Sequence, residues 1–214
     1  CYVALEGPPA EGRDKETGAP WKAPEGTTRR KYENLVTVHF IGFDYDSGEI
    51  SAEEMIAHLE ALGFEAVFYT THSHMKTVTA PTDVDRREAV KRNLDIVSYM
   101  KAVGKLPRIN DPAPQLLPDG GISHAPWPKF RVVLLLKEPY VIGKDRARVA
   151  RYKNGYHALA KLIGASTIDI ACSDPARIHY PPKKRSKDAP YVYKHIRGVP
   201  VDFEAIVKNA PASR

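Results

Sequence analysis

The chain has 214 residues, of which 43% are hydrophobic and 27% are charged, with a formal net charge of +6. Its two cysteines, Cys1 and Cys172, exclude a disulfide framework and a four-cysteine zinc site, and no apolar run reaches the ~20 residues of a membrane helix. The positive charge favours a polyanionic partner, and the cysteine usage favours a reducing cytoplasm.

The N-terminal half is predicted to begin with an arm and to continue as a strand-helix-strand unit. Residues 1–34 are rich in Gly, Pro and charge, which is typical of an extended or poorly ordered arm. The run Val36 to Phe43 is apolar and β-branched and predicts a strand. A helix from Ser51 to Leu62 has capping-box spacing at its start and a glycine after its end. Ala66 to Thr70 is the second strand, and strand, helix and strand of this length indicate a βαβ-like or a split unit.

The middle of the chain, residues 76–128, is predicted to be an insertion. A helix is expected from Asp85 to Val103, with Val90, Leu94 and Val97 as its apolar stripe. The stretch from Leu106 to Pro128 is rich in proline and has little periodicity.

The C-terminal part begins with a strand from Phe130 to Leu136. A long helix from Lys144 to Ile163 follows and ends at Gly164; its apolar face holds Val149, Tyr152, Tyr156, Leu159 and Ile163. A final helix starts at Asp202. Short strands are expected at Thr167 to Ala171, Ile178 to Tyr180 and Tyr191 to Ile196.

Asp44 and Asp46 stand at the end of the first strand. Strand residues two apart point to one side, so the two carboxylates converge. Two anions held together need a positive partner, and Mg²⁺ or Mn²⁺ prefer such oxygen ligands. The alternative interpretation is a solvated turn, because Asp-x-Asp-Ser-Gly also suits a turn.

The segment that follows the second strand carries His72, Ser73 and His74. A histidine there could hold a phosphate through charge-assisted hydrogen bonds. The alternatives are a polar loop without function and a His-x-His metal site, which would be only loosely similar to that of rolling-circle nucleases.

Asp174, at the end of a predicted strand, is the candidate third carboxylate of a two-metal site. Asp169 is a weaker candidate because it lies inside that strand. Arg177, three residues after Asp174, would suit a triphosphate, although an Asp-Pro turn with a surface arginine explains the same residues. Arg131 begins a buried strand and therefore needs an anionic partner or a place at the surface.

Basic residues cluster in three further places. Each cluster is typical of a solvated face, and together they could follow a nucleic-acid backbone. The clusters are Arg86, Arg87, Lys91 and Arg92; Lys144, Arg148 and Arg151; and Lys183, Lys184, Arg185 and Lys187.

Taken together, these motifs resemble the archaeo-eukaryotic primase superfamily, most closely its phage- and plasmid-encoded primase-polymerase branch. That family has a strand ending in Asp-x-Asp, then a small-x-His motif, then a later apolar-Asp motif. The resemblance covers residues 35–208, with 209–214 as a tail, and lies in Asp44 to Asp46, Tyr69 to His74, Lys129 to Leu136 and Asp174 to Pro181.

The chain departs from the family pattern in two places. His72 stands where the family prefers a small residue, so that either His72 or His74 could be the functional histidine. The insertion at residues 76–128 is longer than in many relatives, and it could contact template or only decorate the surface.

The resemblance implies an α+β fold, with an N-terminal αβ module, a C-terminal RNA-recognition-motif-like module and the active site in the cleft between them. It implies a DNA primase or polymerase that joins NTPs or dNTPs on a single-stranded template and primer, in a host cytoplasm and with a helicase as a possible partner. Two Mg²⁺ or Mn²⁺ ions would be held by Asp44, Asp46 and Asp174. The triphosphate would be held by residues chosen from His72, Ser73, His74, Arg131 and Arg177.

Two other functions fit the same residues. A rolling-circle initiation nuclease would use His72 and His74 with a tyrosine such as Tyr99. A non-catalytic nucleic-acid-binding module would bind in a salt-dependent way without turnover.

Overall fold

The structure is a computed structural model, and it describes residues 3–5, 11–13, 17–22, 34–108, 112–143, 145–164, 168, 170–176 and 182–211. These residues form an α+β fold of antiparallel sheets and helices, as predicted. In chain order the elements are β1 (Val3–Leu5), β2 (Glu11–Arg13), β3 (Pro20–Lys22), β4 (Leu35–Tyr45), α1 (Ala52–Leu62), β5 (Ala66–Thr70), β6 (Lys76–Thr79), α2 (Asp83–Lys91), α3 (Ile96–Ala102), β7 (Gln115–Leu116), β8 (Ile122–Trp127), β9 (Phe130–Val141), α4 (Arg146–Leu162), a 3₁₀ turn (Ile170–Ser173), β10 (Tyr193–Ile196) and α5 (Phe203–Asn209).

The central sheet has the strand order β1-β4-β9-β5-β10, and every neighbouring pair is antiparallel. β4 and β5 are therefore parallel, but β9 lies between them, so of the two predicted arrangements the split unit is the one that forms. Together with α1 they form a split β-α-β unit, in which a later strand fills the gap that the crossover leaves. β1 adds an edge strand that the sequence did not predict.

The helices α1 and α4 pack on one face of this sheet. Phe43 of β4 contacts Tyr156 of α4, with ring centroids 4.6 Å apart, and the main core continues along the apolar face predicted for α4. α1 is fixed by its capping box, because Ser51 accepts from the Glu54 N–H (3.1 Å) and Glu54 accepts from the Ser51 N–H (2.8 Å). Side chains alternate along a strand, so the neighbours of Phe43 point to the opposite face.

The insertion forms a second sheet, β6-β8-β7, which packs with α2 and α3 around a small core of its own. The single helix predicted from Asp85 to Val103 was wrong. Asp95 accepts from the Ser98 N–H (2.9 Å) and starts α3 as a separate helix. Val90 of the predicted stripe is 79% exposed, and Leu94 is exposed as well.

The segment after α4 also differs from the prediction. Of the strand predicted from Thr167 to Ala171, the described residues show a bridge from Ile168 to Tyr45 and then the 3₁₀ turn, which takes in Ile170 and Ala171. The strand predicted at Ile178 to Tyr180 lies outside the described residues, whereas β10 and α5 confirm the two last elements. No helix among the described residues combines the length and the apolar character that crossing a membrane requires.

Candidate functional site

Four side chains form a row across the central sheet, on the face opposite to the helices. Asp44 pairs in register with Arg131, Arg131 with Tyr69, and Tyr69 with Tyr193. Residues directly opposite each other in antiparallel strands share a face, so the row runs through β4, β9, β5 and β10. We call these four residues the cross-strand row.

Asp44 and Arg131 form a bidentate ion pair at one end of this row. Arg131 donates from Nη2 to Oδ2 of Asp44 (2.8 Å) and from Nε to Oδ1, and its Nη1 donates to the Tyr69 hydroxyl (3.2 Å). Asp44 and Arg131 are both 8% exposed. Burial alone would lower the pKa of Arg131, but its hydrogen bonds and the charge of Asp44 raise that pKa above the ordinary value. The pair therefore stays charged.

Asp46 follows the end of β4, and its side chain is 53% exposed. The Nζ of Lys129 lies 3.7 Å from its carboxylate and 3.4 Å from the centroid of the Trp127 ring. Burial lowers the pKa of Lys129, while the charge of Asp46 opposes that shift. Sequence reasoning missed Lys129, although it precedes Arg131 by two residues, and this spacing could have placed it on the same face.

The turn after Asp46 is held by the insertion. The Trp127 indole N–H donates to the Asp46 carbonyl (2.7 Å), and the Arg108 N–H donates to the Ser47 carbonyl (3.2 Å). Gly48 has a φ of +77°, and an added Cβ would lie 2.9 Å from Trp127. The insertion thus contacts the segment that carries the two aspartates.

His74 is buried, and its Nδ1 accepts a hydrogen bond from the Lys129 N–H (3.1 Å). Burial lowers the pKa of His74, which agrees with a neutral ring whose Nδ1 is an acceptor. His72 is exposed, and Ser73 is half-buried. Tyr99 is buried in the small core of the insertion, so the arrangement does not resemble a paired-histidine nuclease with an accessible tyrosine.

Asp174 lies in a tight turn that follows the 3₁₀ turn. Its Oδ1 accepts from the Ala176 N–H (2.9 Å), which is the turn chemistry considered as the alternative. The same segment reaches Asp44, because the Cys172 thiol donates to Oδ2 of Asp44 (3.4 Å). Among the described residues no three His, Cys, Asp or Glu side chains form a group that could hold a metal ion. Asp169 and Arg177 lie outside the described residues.

No family model, curated protein or solved structure matches the chain.

The predicted basic clusters lie at different distances from the cross-strand row. Arg148 donates to the Val141 carbonyl (2.7 Å) at the end of β9 that is farthest from Arg131, about 30 Å along the strand. Arg151 is exposed on the same helix, and Lys144 lies outside the described residues. The loop with Lys183, Lys184 and Arg185 is exposed and leads into β10, next to the row.

The site as a whole combines two carboxylates with two cations. Asp44 and Asp46 fit Mg²⁺ or Mn²⁺, because such ions are commonly held by one or two carboxylates together with waters and substrate phosphates. Arg131 and Lys129 are suited to phosphate oxygens. This chemistry fits a ligand that brings both divalent cations and phosphates.

Proposed function

We propose that the chain is the catalytic core of a DNA primase-polymerase, a template-dependent nucleotidyl transferase that joins NTPs or dNTPs. The observation that supports it most is that each aspartate at the end of β4 contacts a basic side chain, which lies in β9 or directly before it. Asp44 contacts Arg131, and Asp46 contacts Lys129.

The charges of this site favour a metal–triphosphate substrate. Two carboxylates and two cations sum to zero, and a triphosphate accompanied by two divalent cations is also close to neutral. Entry of the substrate therefore requires an exchange of partners rather than the burial of net charge. The carboxylates of Asp44 and Asp46 would turn to the metal ions, and Arg131 and Lys129 would turn to the phosphates.

In the proposed reaction the 3′-hydroxyl loses its proton to solvent and attacks the α-phosphate, and the bond to the departing pyrophosphate breaks. Asp44 and Asp46 would hold the ions, whose chemistry would favour the loss of that proton and stabilise the charge on the α-phosphate. The protein side chains orient the substrate and hold its charge without forming covalent bonds to it. Arg131 is well prepared for this role because Tyr69 also holds its guanidinium, in the row next to Asp44. Asp174 is the proposed third metal ligand, and Cys172 of the same segment already contacts Asp44.

His74, in the turn between β5 and β6, supports the same proposal. It is fixed against the Lys129 backbone, so His74 and Lys129 belong to one hydrogen-bonded unit beside Asp46. Between the two candidate histidines we therefore assign phosphate contact to His74 rather than to the exposed His72.

The test is primer extension on a single-stranded DNA template with Mg²⁺ or Mn²⁺ and labelled NTPs or dNTPs, followed by product sizing. Asp44→Asn and Asp46→Asn keep the side-chain shape, and each should abolish extension, while a melting curve checks that the fold remains. Asp83→Asn, which changes an exposed aspartate in the first turn of α2, is the matched control and should extend normally. Full activity in both site variants, or no extension by the wild-type chain, would reject the proposal.

A further inference from the structure

The cross-strand row ends in an exposed aromatic side chain. Tyr193 pairs in register with Tyr69 and is 54% exposed, whereas Tyr69 is buried. It lies on the edge strand β10, three strand spacings or roughly 14 Å from Asp44. An exposed tyrosine presents an apolar ring face together with a polar hydroxyl, which is suited to stacking against a planar ligand beside the charged site.

A second tyrosine continues this aromatic surface. Tyr191 precedes Tyr193 by two residues, and the pairing with β5 extends to it, because the Val192 carbonyl accepts from the Thr70 N–H (2.9 Å). Tyr191 interacts electrostatically with both Tyr69 and Tyr193. Tyr191 and Tyr193 therefore lie side by side on the face that carries the cross-strand row.

Positive charge adjoins these two rings. The Nζ of Lys184 lies 5.4 Å from the centroid of the Tyr191 ring. The loop before β10 is exposed throughout residues 182–188 and has a single acidic residue, Asp188, beside its basic ones, which are Lys183, Lys184, Arg185 and Lys187. At the other end of β10 the carboxylate of Glu65 is paired with His195 (3.1 Å). The surface is thus aromatic in the middle and basic on one side.

We propose that Tyr191 and Tyr193 form a stacking platform for the bases of single-stranded nucleic acid, with the loop at residues 183–187 holding the phosphates. Aromatic faces accept any base, and a basic loop follows a backbone without reading sequence, so the pair suits a strand of arbitrary sequence. This proposal adds a strand-binding surface to the proposed function. It rests on the proposed function only where it gives the bound strand the role of template. A strand that leaves the platform along the row would approach Asp44.

The experiment measures binding of a fluorescent oligothymidylate by anisotropy, without metal ions or nucleotides. Tyr193→Ala should weaken binding about tenfold, within the range for loss of one stacked base, while Tyr193→Phe should bind like the wild type. Leu162→Ala, which trims a side chain that is 49% exposed on α4, is the matched control and should have no effect. An oligonucleotide of abasic sites should bind the wild type and Tyr193→Ala equally.

Several outcomes would overturn the platform. They are unchanged binding by Tyr193→Ala, an equal loss in Tyr193→Phe, and an equal loss on the abasic strand. Because the assay contains no catalysis, its result is separate from that of primer extension. If binding depends on Tyr193 but the chain does not extend primers, the polymerase proposal is rejected and the platform is retained. If the chain extends primers but Tyr193→Ala binds like the wild type, the platform is rejected and the polymerase proposal is retained.

Discussion

The guanidinium of Arg131 and the carboxylate of Asp44 face each other across β9 and β4 and join through two hydrogen bonds on a buried face of the sheet. Each group alone would be a charge removed from water. The two residues therefore depend on each other for the stability of the fold, and the same dependence keeps a carboxylate ionised at the centre of the candidate site.

Arg131→Met should lower the free energy of unfolding by about 3–5 kcal/mol, because it leaves the buried carboxylate of Asp44 without its partner. The double variant Arg131→Met with Asp44→Leu should recover most of that loss, since no charge is then left unpaired. Urea denaturation of the single and double variants measures the coupling. If the two single losses simply add in the double variant, the ion pair does not have the role assigned to it.

Elements with local signals were predicted well from the sequence. α1 lies within one residue of its predicted start, because Ser51 and Glu54 make a capping box and Gly63 adopts the left-handed conformation (φ 70°) after its end. β5 was predicted with its exact bounds, Ala66–Thr70. Asp44 was singled out because its carboxylate and that of Asp46 converge at the end of a strand, and Arg131 because a charge in a buried strand needs a partner, but their pairing with each other was not predicted.

Two of the features that were missed depend on contacts that are distant in sequence, whereas a third, the break between α2 and α3, depends on a local cap. The position of β9 between β4 and β5 is set by pairing across the whole chain, which strand patterns do not encode. Tyr69 and Lys129 join the site only because β9 places them beside Arg131 and Asp46. The break between α2 and α3 was missed because the cap at Asp95 was read as part of one continuous helix.

The insertion contacts the turn after Asp46, and we expect two substitutions at this contact to lower stability by different amounts. Trp127→Phe removes the hydrogen bond to the Asp46 carbonyl and should destabilise the protein by about 1 kcal/mol, with a fall in extension rate larger than its change in KM for nucleotide. Gly48→Ala should cost more, since its φ of +77° is strained for alanine and its Cβ would meet Trp127. Leu116→Ala, an exposed position of the insertion, is the control and should change neither property. Normal extension by both site-facing variants would show that the insertion does not position Asp46.

His124 gives the protein a pH-dependent stability. It is buried in β8, its Nδ1–H donates to the Ala125 carbonyl (2.8 Å), and its Nε2 lies 3.0 Å from the Thr79 hydroxyl. Burial lowers its pKa below the ordinary 6.5, as it does for His74, so below pH 6.5 the unfolded chain binds more protons than the folded one. Stability should therefore fall as the pH decreases from 6.5 towards the lowered pKa values.

His124→Gln should make this pH dependence shallower, and thermal melts between pH 7 and pH 5 would measure it. Leu116→Ala, at an exposed and non-titratable position of the same insertion, is the control and should leave the slope unchanged. A wild-type melting temperature that rises on acidification over this interval would contradict the sign of the effect.

We expect the basic residues of the loop before β10 and those of helix α4 to differ in their effect on the salt dependence of nucleic-acid binding. Each phosphate contact to a single strand contributes about 0.7 to the slope of log affinity against log salt concentration. Replacing Lys183, Lys184 and Arg185 together by Gln should therefore reduce the slope by about 2, if each contacts one phosphate. Arg148→Gln with Arg151→Gln should leave the slope nearly unchanged, because Arg148 lies at the far end of β9. The opposite result would be a slope that the loop variant leaves unchanged and the α4 variant reduces. It would place the bound strand at the other end of the sheet, away from Tyr193.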